Sequence, residues 1–289
     1  MREFIISTES NCDLSPEYVK ENNICVIPHY YTVEEDVYGD GNELTTKEFY
    51  DEMRSGKKVG TMASNPAVIE DRYTAYAKEG KDVLHISFSS QLSGGCGNII
   101  MTSREVMENY PDMKIEVVDT LSASFCEGIA IMKAVELKNA GKTLEETKAA
   151  IEELVPHLNI IITVEDLAYL QRGGRLSKSS ALVGTMINLK PILHVTEEGK
   201  LVALSKVRGR NKSISTMLDL MDERLGSYKD KQIVVGILHG DCEEEALRMK
   251  QMIKDRFGFD KFSVISIGPS IGAHTGPGTL GLCFLGDHR

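Results

Sequence analysis

Residues 83–97 read VLHISFSSQLSGGCG, an apolar run followed by a stretch of serine and glycine. The run at 83–88 predicts a buried strand, and the polar stretch predicts a turn that opens a helix near Gly95. The same alternation of strand and helix patterns recurs through the first 160 residues. Such alternation is typical of a largely parallel sheet covered by helices.

The elements predicted for this first half follow from hydrophobic periodicity and helix caps. Thr45 with Glu48 three residues later fits a capping box, and Ser15 before Pro16 fits an N-cap followed by a first-turn proline. Strands are predicted at 4–7, 24–31, 83–88 and 115–118. Helices are predicted at 16–21, 47–54, 66–78, after Gly95, and at 122–139 and 143–157.

The second half predicts a sheet with mixed strand directions. Strands at 190–195 and 200–207 flank a Glu-Glu-Gly turn, the pattern of an antiparallel hairpin. Further strands are predicted at 159–163, 233–238, 262–267 and 282–285, and helices at 210–225 and 243–257. We therefore predict two α/β domains, residues 1–158 with a mainly parallel sheet flanked by helices and residues 159–289 with a mixed sheet.

Composition narrows the class of protein. The chain has 289 residues and a formal net charge of −10, which argues against a nucleic-acid or anionic-membrane surface. Its six cysteines show no C-x-x-C spacing, the first residues lack the apolar segment of a signal peptide, and no apolar run could span a bilayer. The histidines lack metal-ligand spacing. We expect a cytoplasmic protein with reduced thiols and no metal centre.

Two segments of the first half could bind an anion. In 89–97, Ser93, Gly94 and Gly95 place backbone amides at a helix start, which favours a carboxylate or phosphate. The alternative is a capped turn in which Ser93 serves only its own helix. In 61–66, Thr61 and Ser64 supply hydroxyls, although Ser64 could instead be the N-cap of the next helix. Because loops at the carboxyl ends of parallel strands gather in one crevice, the two segments could share a site.

His274 has an unusual setting among the histidines. Residues 266–281 read SIGPSIGAHTGPGTLG, which places five glycines and two of the eight prolines around one imidazole. A simple turn needs fewer such residues. We expect a rigid loop that presents the imidazole and bare backbone amides.

Two basic segments stand out on an acidic chain. Residues 170–177 carry Arg172 and Arg175 around a Gly-Gly pair, and residues 206–212 carry four positive charges without an acid. They could form a docking surface for an acidic or phosphorylated partner. The alternative is ordinary solvated charge.

An ordered set of motifs resembles the DegV family over nearly the whole chain. The motifs are STESNCDL at 7–14, SSQLSG at 89–94, VVDT at 117–120, YLQRGGRL at 169–176, KPIL at 190–193 and GPSIGAHTGPG at 268–278. The last motif is the most distinctive. The resemblance implies two α/β domains with a ligand tunnel at their junction, and binding of a long-chain fatty acid.

The resemblance also implies roles for individual residues. Ser93 and His274 match residues that hold the carboxylate, Thr61 or Ser64 would add a hydroxyl, and Arg175 matches an exposed arginine implicated in meeting a fatty acid kinase subunit. The sequence departs from the family pattern in three places. These are ASNPA at 63–67, Gly95 where a threonine is common, and Glu9 where aspartate is usual.

We therefore predict a cytoplasmic, monomeric carrier that binds a long-chain fatty acid and presents its carboxylate to a separate kinase subunit. It would have no catalytic residue and no cofactor. One alternative is an acyl hydrolase or transferase that uses Ser93 and His274 on a small acidic substrate. Another is a regulatory module that binds a protein through the basic segments, with the ligand as its signal.

Overall fold

The computed structural model describes residues 2–176 and 189–289. Its strands, in chain order, are β1 (Phe4–Glu9), β2 (Cys25–Ile27), β3 (Tyr30–Val33), β4 (Asp36–Tyr38), β5 (Val59–Met62), β6 (Asp82–Ser87), β7 (Ile115–Asp119), β8 (Leu158–Thr163), β9 (Leu189–Val195), β10 (Leu201–Arg208), β11 (Val235–His239), β12 (Phe262–Ser266) and β13 (Leu280–Leu285). Its helices are α1 (Pro16–Glu21), α2 (Thr46–Arg54), α3 (Pro66–Lys78), α4 (Gly95–Asn109), α5 (Phe125–Asn139), α6 (Leu144–Leu154), α7 (Ala168–Arg172), α8 (Arg210–Leu225), α9 (Glu243–Phe257) and α10 (Pro269–Thr275).

The first large sheet has the strand order β2-β1-β6-β7, and all of its strands are parallel. This confirms the parallel sheet predicted for the first half. Glu9 pairs with Ile27 at the carboxyl ends of β1 and β2, and Ser87 pairs with Asp119 at those of β6 and β7. The loops that follow these strands therefore meet along one edge.

The second large sheet has the order β10-β9-β8-β13-β11-β12. β9 and β10 form the predicted antiparallel hairpin, whereas β11 and β12 are parallel. The mixed sheet is thus confirmed, and its strand β8 begins at Leu158. The division of the chain into domains at residue 158 stays a prediction.

A small antiparallel sheet of order β4-β3-β5 was not predicted. The strand expected at 24–31 is in fact two strands, β2 and β3, which belong to different sheets. Pro28 lies at the break, where its missing N–H would interrupt a hydrogen-bonded ladder. Strand β5 of the small sheet carries Thr61, one of the predicted ligand residues.

Helix α5 lies between the two large sheets and explains how they stack. Ile129, Ala130 and Ile131 are consecutive and fully buried, so apolar side chains cover more than one face of the helix. Helices α3 and α4 cover the other face of the first sheet, and α8 and α9 cover the other face of the second. The helices and sheets therefore form five layers.

Local sequence fixes many of the helix starts. Thr45 and Glu48 form the predicted capping box, and the Ser15 hydroxyl accepts a hydrogen bond from the Tyr18 amide. Helix α5 begins at Phe125 rather than 122, since Leu121 and Ser124 adopt positive φ angles of 48° and 55°. Helix α6 ends at Leu154 and is followed by a short 3-10 turn, in place of one helix to residue 157.

The loop expected around His274 is instead the short helix α10, so the prediction of bare amides there was wrong. The amides of Gly272 and Gly276 donate to the carbonyls of Gly268 and Gly272. Pro269 occupies the first helical turn, and Gly276 ends the helix with φ of 81°. This placement of proline and glycine is typical of helix ends.

The loop expected at 170–177 also differs from the structure. Helix α7 extends to Arg172, and the Gly173-Gly174 pair ends it, with a positive φ of 74° at Gly174. Ser177, the last residue of that predicted loop, lies outside the described residues.

Candidate functional site

An apolar cavity lies between the two large sheets, next to the start of α5. The space between its atoms, counted together with open solvent at its mouth, is about 760 Å³. Loops at the carboxyl edge of the first sheet form one wall, as expected for loops that follow the ends of parallel strands. The apolar lining residues are Phe88, Leu92, Ala123, Ile160, Ile162, Leu170, Val195, Leu201, Leu238, Ile267 and Ile271.

Thr61 and His274 form a hydrogen-bonded pair on the wall of this cavity. Thr61 Oγ1 lies 2.8 Å from His274 Nε2, so β5 and α10 meet at the site. The other imidazole nitrogen faces Gly173, where an added Cβ would overlap it. Burial, with a smaller effect of the nearby Arg175 charge, lowers the pKa of His274 to about 4. The imidazole is therefore neutral at pH 7.

Ser93 lies on the same cavity wall, in the turn before α4. Its hydroxyl oxygen accepts a hydrogen bond from the Gly95 amide at 3.1 Å, so Ser93 serves its own helix, although the N-cap residue of α4 is Gly94. That bond leaves the hydroxyl hydrogen of Ser93 able to donate to a ligand. Gly94 is exposed and Gly95 is buried at the first position of the helix. Ser93 can thus stabilise the start of its own helix and still donate to a ligand.

Gly95 departs from the family pattern for a steric reason. A Cβ added there would lie 3.0 Å from His29 Nε2 and 3.2 Å from Glu9 Oε1. Both neighbours are buried, so neither side chain can move into solvent. Because Glu9 and His29 already fill the space beside it, this position favours glycine over a larger residue.

Glu9 is the centre of a buried polar network behind the cavity. Its carboxylate accepts hydrogen bonds from the Ser87 hydroxyl, the Phe88 amide and His85 Nε2, each at 3.1 Å. Burial opposes the ionisation of Glu9, but the hydrogen bond and charge of His85, together with His29 and the Phe88 amide, keep the pKa of this carboxyl below its usual value. The network fixes the strand end that leads to the Ser93 turn.

The structure separates the roles of Thr61 and Ser64. Thr61 lines the cavity, whereas Ser64 is buried and is absent from the described lining residues. Ser64 is also not the N-cap of α3, which corrects the sequence interpretation. That cap is Asn65, whose side chain accepts from the Ala67 amide at 3.0 Å. Asparagine is an equally good cap residue, so the error is one of register by a single position.

Arg175 is half-buried and lines the cavity, unlike the exposed arginine that the resemblance implied. Its guanidinium donates to the Leu92 carbonyl at 3.0 Å and to the Gly173 carbonyl at 2.5 Å. It therefore joins the Ser93 turn to the glycine pair that packs on His274. Arg172, by contrast, is exposed and stacks over the Tyr169 ring at 4.7 Å.

A second groove, the basic groove, borders the same residues from outside. It shares Thr61, Arg175 and His274 with the cavity, and it adds the cationic residues Lys57, Lys58 and Arg172. The head of a ligand bound at the Thr61–His274 pair would thus lie between the apolar cavity and a basic groove.

The basic segment at 206–212 is not a uniform docking surface. Arg210 lies 2.9 Å from a Glu245 carboxylate oxygen and 3.5 Å from one of Glu165, and it also donates to the Gly278 carbonyl. Lys206, Arg208 and Lys212 are exposed. Arg210 therefore has a structural role beside the 268–278 motif, in contrast to the uniform surface patch we expected.

Sequence interpretation missed several polar residues of the cavity wall, among them Asn11 and His29. It also missed Asp13, whose carboxylate accepts from the Ser124 hydroxyl and from the Gly268 amide. Burial raises the pKa of Asp13 to about 6. All three follow the ends of parallel strands β1 and β2, a position that could have marked them as candidates.

Comparison with known proteins agrees with this architecture. The chain matches a family model described as "Uncharacterised protein, DegV family" over residues 3–287. It is 33% identical over 291 residues to a DegV domain-containing protein of Clostridium perfringens, covering 100% of this chain and 99% of that protein. Within residues 2–176 and 189–289, no helix is both long and apolar enough to cross a membrane.

Solved structures of similar proteins share the fold. A DegV family protein from Thermus thermophilus, described for its fatty acid binding, superposes with a TM-score of 0.88 at 27% identity, covering 99% of this chain and 100% of that one. DegV from Bacillus subtilis, described as a fatty acid binding protein, gives a TM-score of 0.87 at 27% identity, with the same coverage. The extent of these matches shows that the chain belongs to the DegV family.

Proposed function

We propose that this protein encloses the tail of a long-chain fatty acid in the cavity between its two large sheets. The observation that carries the proposal is an apolar cavity that bears hydrogen-bonding side chains, Ser93 and the Thr61–His274 pair, on its wall. The fatty acid binding described for the similar proteins of Thermus thermophilus and Bacillus subtilis supports the same ligand class.

Tail burial supplies most of the affinity in this proposal. Each methylene removed from water contributes roughly 0.8 kcal/mol, so about 14 methylenes offer on the order of 11 kcal/mol before ordering costs. The apolar lining residues of both sheets provide the surface for this burial. Chain length is then limited by the room in the cavity.

The head group is recognised by hydrogen bonds. Ser93 supplies one hydroxyl donor, and the Thr61–His274 pair supplies a second: when the neutral His274 donates its Nε2–H to Thr61 Oγ1, the Thr61 hydroxyl can donate to the carboxylate. A charge-assisted bond to a carboxylate is worth about 1.5–3 kcal/mol. Those groups would therefore select an acid over an alcohol of the same length. Ser64 is left out of the proposed contact set, since it does not line the cavity.

We further propose that the bound carboxylate is presented to a separate fatty acid kinase subunit through the basic groove. Lys57, Lys58 and Arg172 border the head-group residues there and would complement the charge of a phosphorylated product or an acidic partner. Arg175, which lies between cavity and groove, would couple the two. The cytoplasmic location and the monomeric state remain predictions.

The hydrolase or transferase alternative gains no support from the site. An activated serine normally needs a histidine that a third group orients. Here His274 Nδ1 faces the Gly173 backbone, and it has no hydrogen-bond partner among the residues that the structure describes. The Nε2 atom is paired with Thr61 instead.

The proposal is tested by extracting the purified protein and identifying bound lipid by mass spectrometry, followed by titration of the delipidated protein with hexadecanoic acid. We expect a co-purified fatty acid and saturable binding. If no lipid is bound to the purified protein and hexadecanoic acid shows no saturable binding, the proposal is overturned. Addition of a fatty acid kinase subunit and ATP to the loaded protein should then give acyl phosphate, which hydroxylamine traps.

A further inference from the structure

Asp13 joins the starts of two helices that border the cavity. Its carboxylate accepts hydrogen bonds from the hydroxyl of Ser124 and, at 3.0 Å, from the amide of Gly268. Ser124 is the N-cap residue of α5, and Gly268 is the N-cap residue of α10. These partners lie 111 and 255 positions from Asp13 in the chain. One side chain thus links the segment after β1 to the segment after β12, the ends of strands from both large sheets.

Helix α10 carries the proposed head-group residue His274. Ser270, Ile271 and His274 of this helix all line the cavity. The Gly268 amide precedes the first helical turn, where backbone amides have no partner within the helix, so Asp13 supplies the missing acceptor. His274 follows six residues later, roughly 9 Å along the helix axis.

Contacts at its two ends fix the position of α10. Near the start, the Tyr50 hydroxyl donates to the Ile267 carbonyl at 3.1 Å, next to the Gly268 amide. Near the end, His274 Nε2 lies 2.8 Å from Thr61 Oγ1. Because a short helix transmits a displacement along its length, a shift of its start would alter the distance between Thr61 and His274.

The bond to Ser124 holds the start of α5 in an unusual conformation. Ser124 has a φ angle of 55° and a ψ angle of −143°, a combination that residues other than glycine rarely adopt. Its hydroxyl hydrogen is directed to Asp13, and Ser124 lines the cavity beside Ala123. Asp13 therefore fixes the backbone on the α5 side of the cavity as well as on the α10 side.

The packing around Gly268 shows how closely the carboxylate approaches α10. A Cβ added to Gly268 would lie 2.9 Å from Asp13 Oδ1, closer than real Cβ atoms come to a neighbour. The φ angle of Gly268 is −66°, which suits any residue, so lack of space rather than backbone angle favours glycine here. A side chain at Gly268 would push the carboxylate away from the amide.

We propose that Asp13 is a positioning residue for the head-group site. It holds the start of α10 so that His274 meets Thr61, and it holds the start of α5 at the cavity wall. Among the described residues, Asp13 itself does not line the cavity, so it acts through these partners. The inference rests on the proposed function where it concerns a bound carboxylate. It gives a role to the motif at 7–14, which the proposed ligand contacts leave unused.

The test compares Asp13→Leu with the conservative variant Asp13→Asn. Leucine accepts no hydrogen bond, whereas asparagine can accept from the Gly268 amide and donate to the Ser124 hydroxyl. The ratio of the affinities for hexadecanoic acid and hexadecan-1-ol should fall about three- to tenfold in Asp13→Leu and stay near the wild-type value in Asp13→Asn. In the ligand-free proteins, the NMR signals of the His274 ring nitrogens should shift in Asp13→Leu and not in Asp13→Asn.

Thr8→Val is the matched control. It also removes a buried hydrogen bond, from the Thr8 hydroxyl to a Glu127 carboxylate oxygen at 2.7 Å, but it leaves α10 untouched. It should lower folding stability without changing the affinity ratio or the His274 signals. If Asp13→Leu does not fold, Gly268→Ala makes the same test from the other side of the contact, and its affinity ratio should also fall.

The possible outcomes separate this inference from the proposed function. An affinity ratio and His274 signals that Asp13→Leu or Gly268→Ala leaves unchanged would overturn the inference and leave fatty acid binding intact. An equal fall of the ratio in Thr8→Val would also overturn it, because a general loss of stability would then explain the effect. If the wild type does not bind hexadecanoic acid, the proposed function fails. The His274 signals of the ligand-free variants then decide by themselves whether Asp13 positions α10.

Discussion

Thr61 Oγ1 and His274 Nε2 lie 2.8 Å apart although 213 positions separate the two residues in the chain. The bond joins β5 of the small sheet to α10, next to the second large sheet. Both residues border the cavity and the basic groove. In the proposed function, the pair is therefore the point where the buried tail, the recognised head group and the access from outside meet.

Removal of the Thr61 hydroxyl should weaken acid binding. In Thr61→Val, His274 Nε2 loses its partner and the carboxylate loses a donor, so affinity for hexadecanoic acid should fall about five- to thirtyfold. Thr61→Ser keeps the hydroxyl and should lose much less. Competition titrations with the matched alcohol should show a smaller effect of Thr61→Val, and equal losses for acid and alcohol would remove the head-group role of Thr61.

A methyl group at Gly173 should displace the His274 imidazole. A Cβ at this position would overlap Nδ1, and the φ angle of Gly173 itself is not in the left-handed region. We expect Gly173→Ala to reduce fatty acid affinity at least tenfold while costing about 1–3 kcal/mol of folding stability. Titration and denaturant unfolding measure the two effects.

The control for that variant is Gly97→Ala, an exposed glycine of α4 with no atom within 4 Å of an added Cβ. It should leave fatty acid binding unchanged and slightly raise stability, because alanine favours helix over glycine. An intact fatty acid affinity in Gly173→Ala would show that the position of His274 does not depend on this contact.

Local signals account for the parts of the fold that the sequence predicted well. Helices α3, α8 and α9 have the predicted bounds because an apolar period and clear end signals coincide in each. The helix around His274 was missed because its glycine and proline content resembles that of a loop. Pro269 in its first turn and Gly276 after its end were the signals that could have revealed it.

The site was less predictable because its contacts are long-range. Ser93 and His274 were chosen from composition and from the family resemblance, and both line the cavity. No local pattern could show that Gly95 is fitted to Glu9 and His29, since these three residues come from different segments. The same reason explains why Arg175 was expected on the surface and lies half-buried instead.

Acidification should destabilise the fold through His274. Its pKa of about 4 lies below the ordinary value of 6.5, so between those values the unfolded chain binds a proton that the folded chain does not. The stability that this histidine contributes is present above pH 6.5 and is lost as the pH falls towards 4. Compared with His274→Gln, the delipidated wild type should lose more unfolding free energy between pH 7.5 and pH 5.

Asp13 provides an internal check on the sign of that effect. Its pKa of about 6 is above the ordinary 3.8, so the folded chain holds a proton that the unfolded chain releases. Compared with Asp13→Asn, the wild type should gain stability as the pH falls from 6 towards 4. If the unfolding free energies of His274→Gln and Asp13→Asn depend on pH as that of the wild type does, then burial does not shift the pKa of either group as described.

Arg175 and Arg172 should separate capture of the fatty acid from presentation at the surface. Arg175 links the Leu92 carbonyl of the Ser93 turn to the Gly173 carbonyl beside His274, so Arg175→Ala should lower hexadecanoic acid affinity about three- to tenfold. Arg172 is exposed in the groove and stacks on Tyr169, and Arg172→Ala should bind the acid like the wild type. In the assay with a kinase subunit, Arg172→Ala should instead reduce the yield of acyl phosphate. A loss of acid binding in Arg172→Ala, or none in Arg175→Ala, would reverse these assignments.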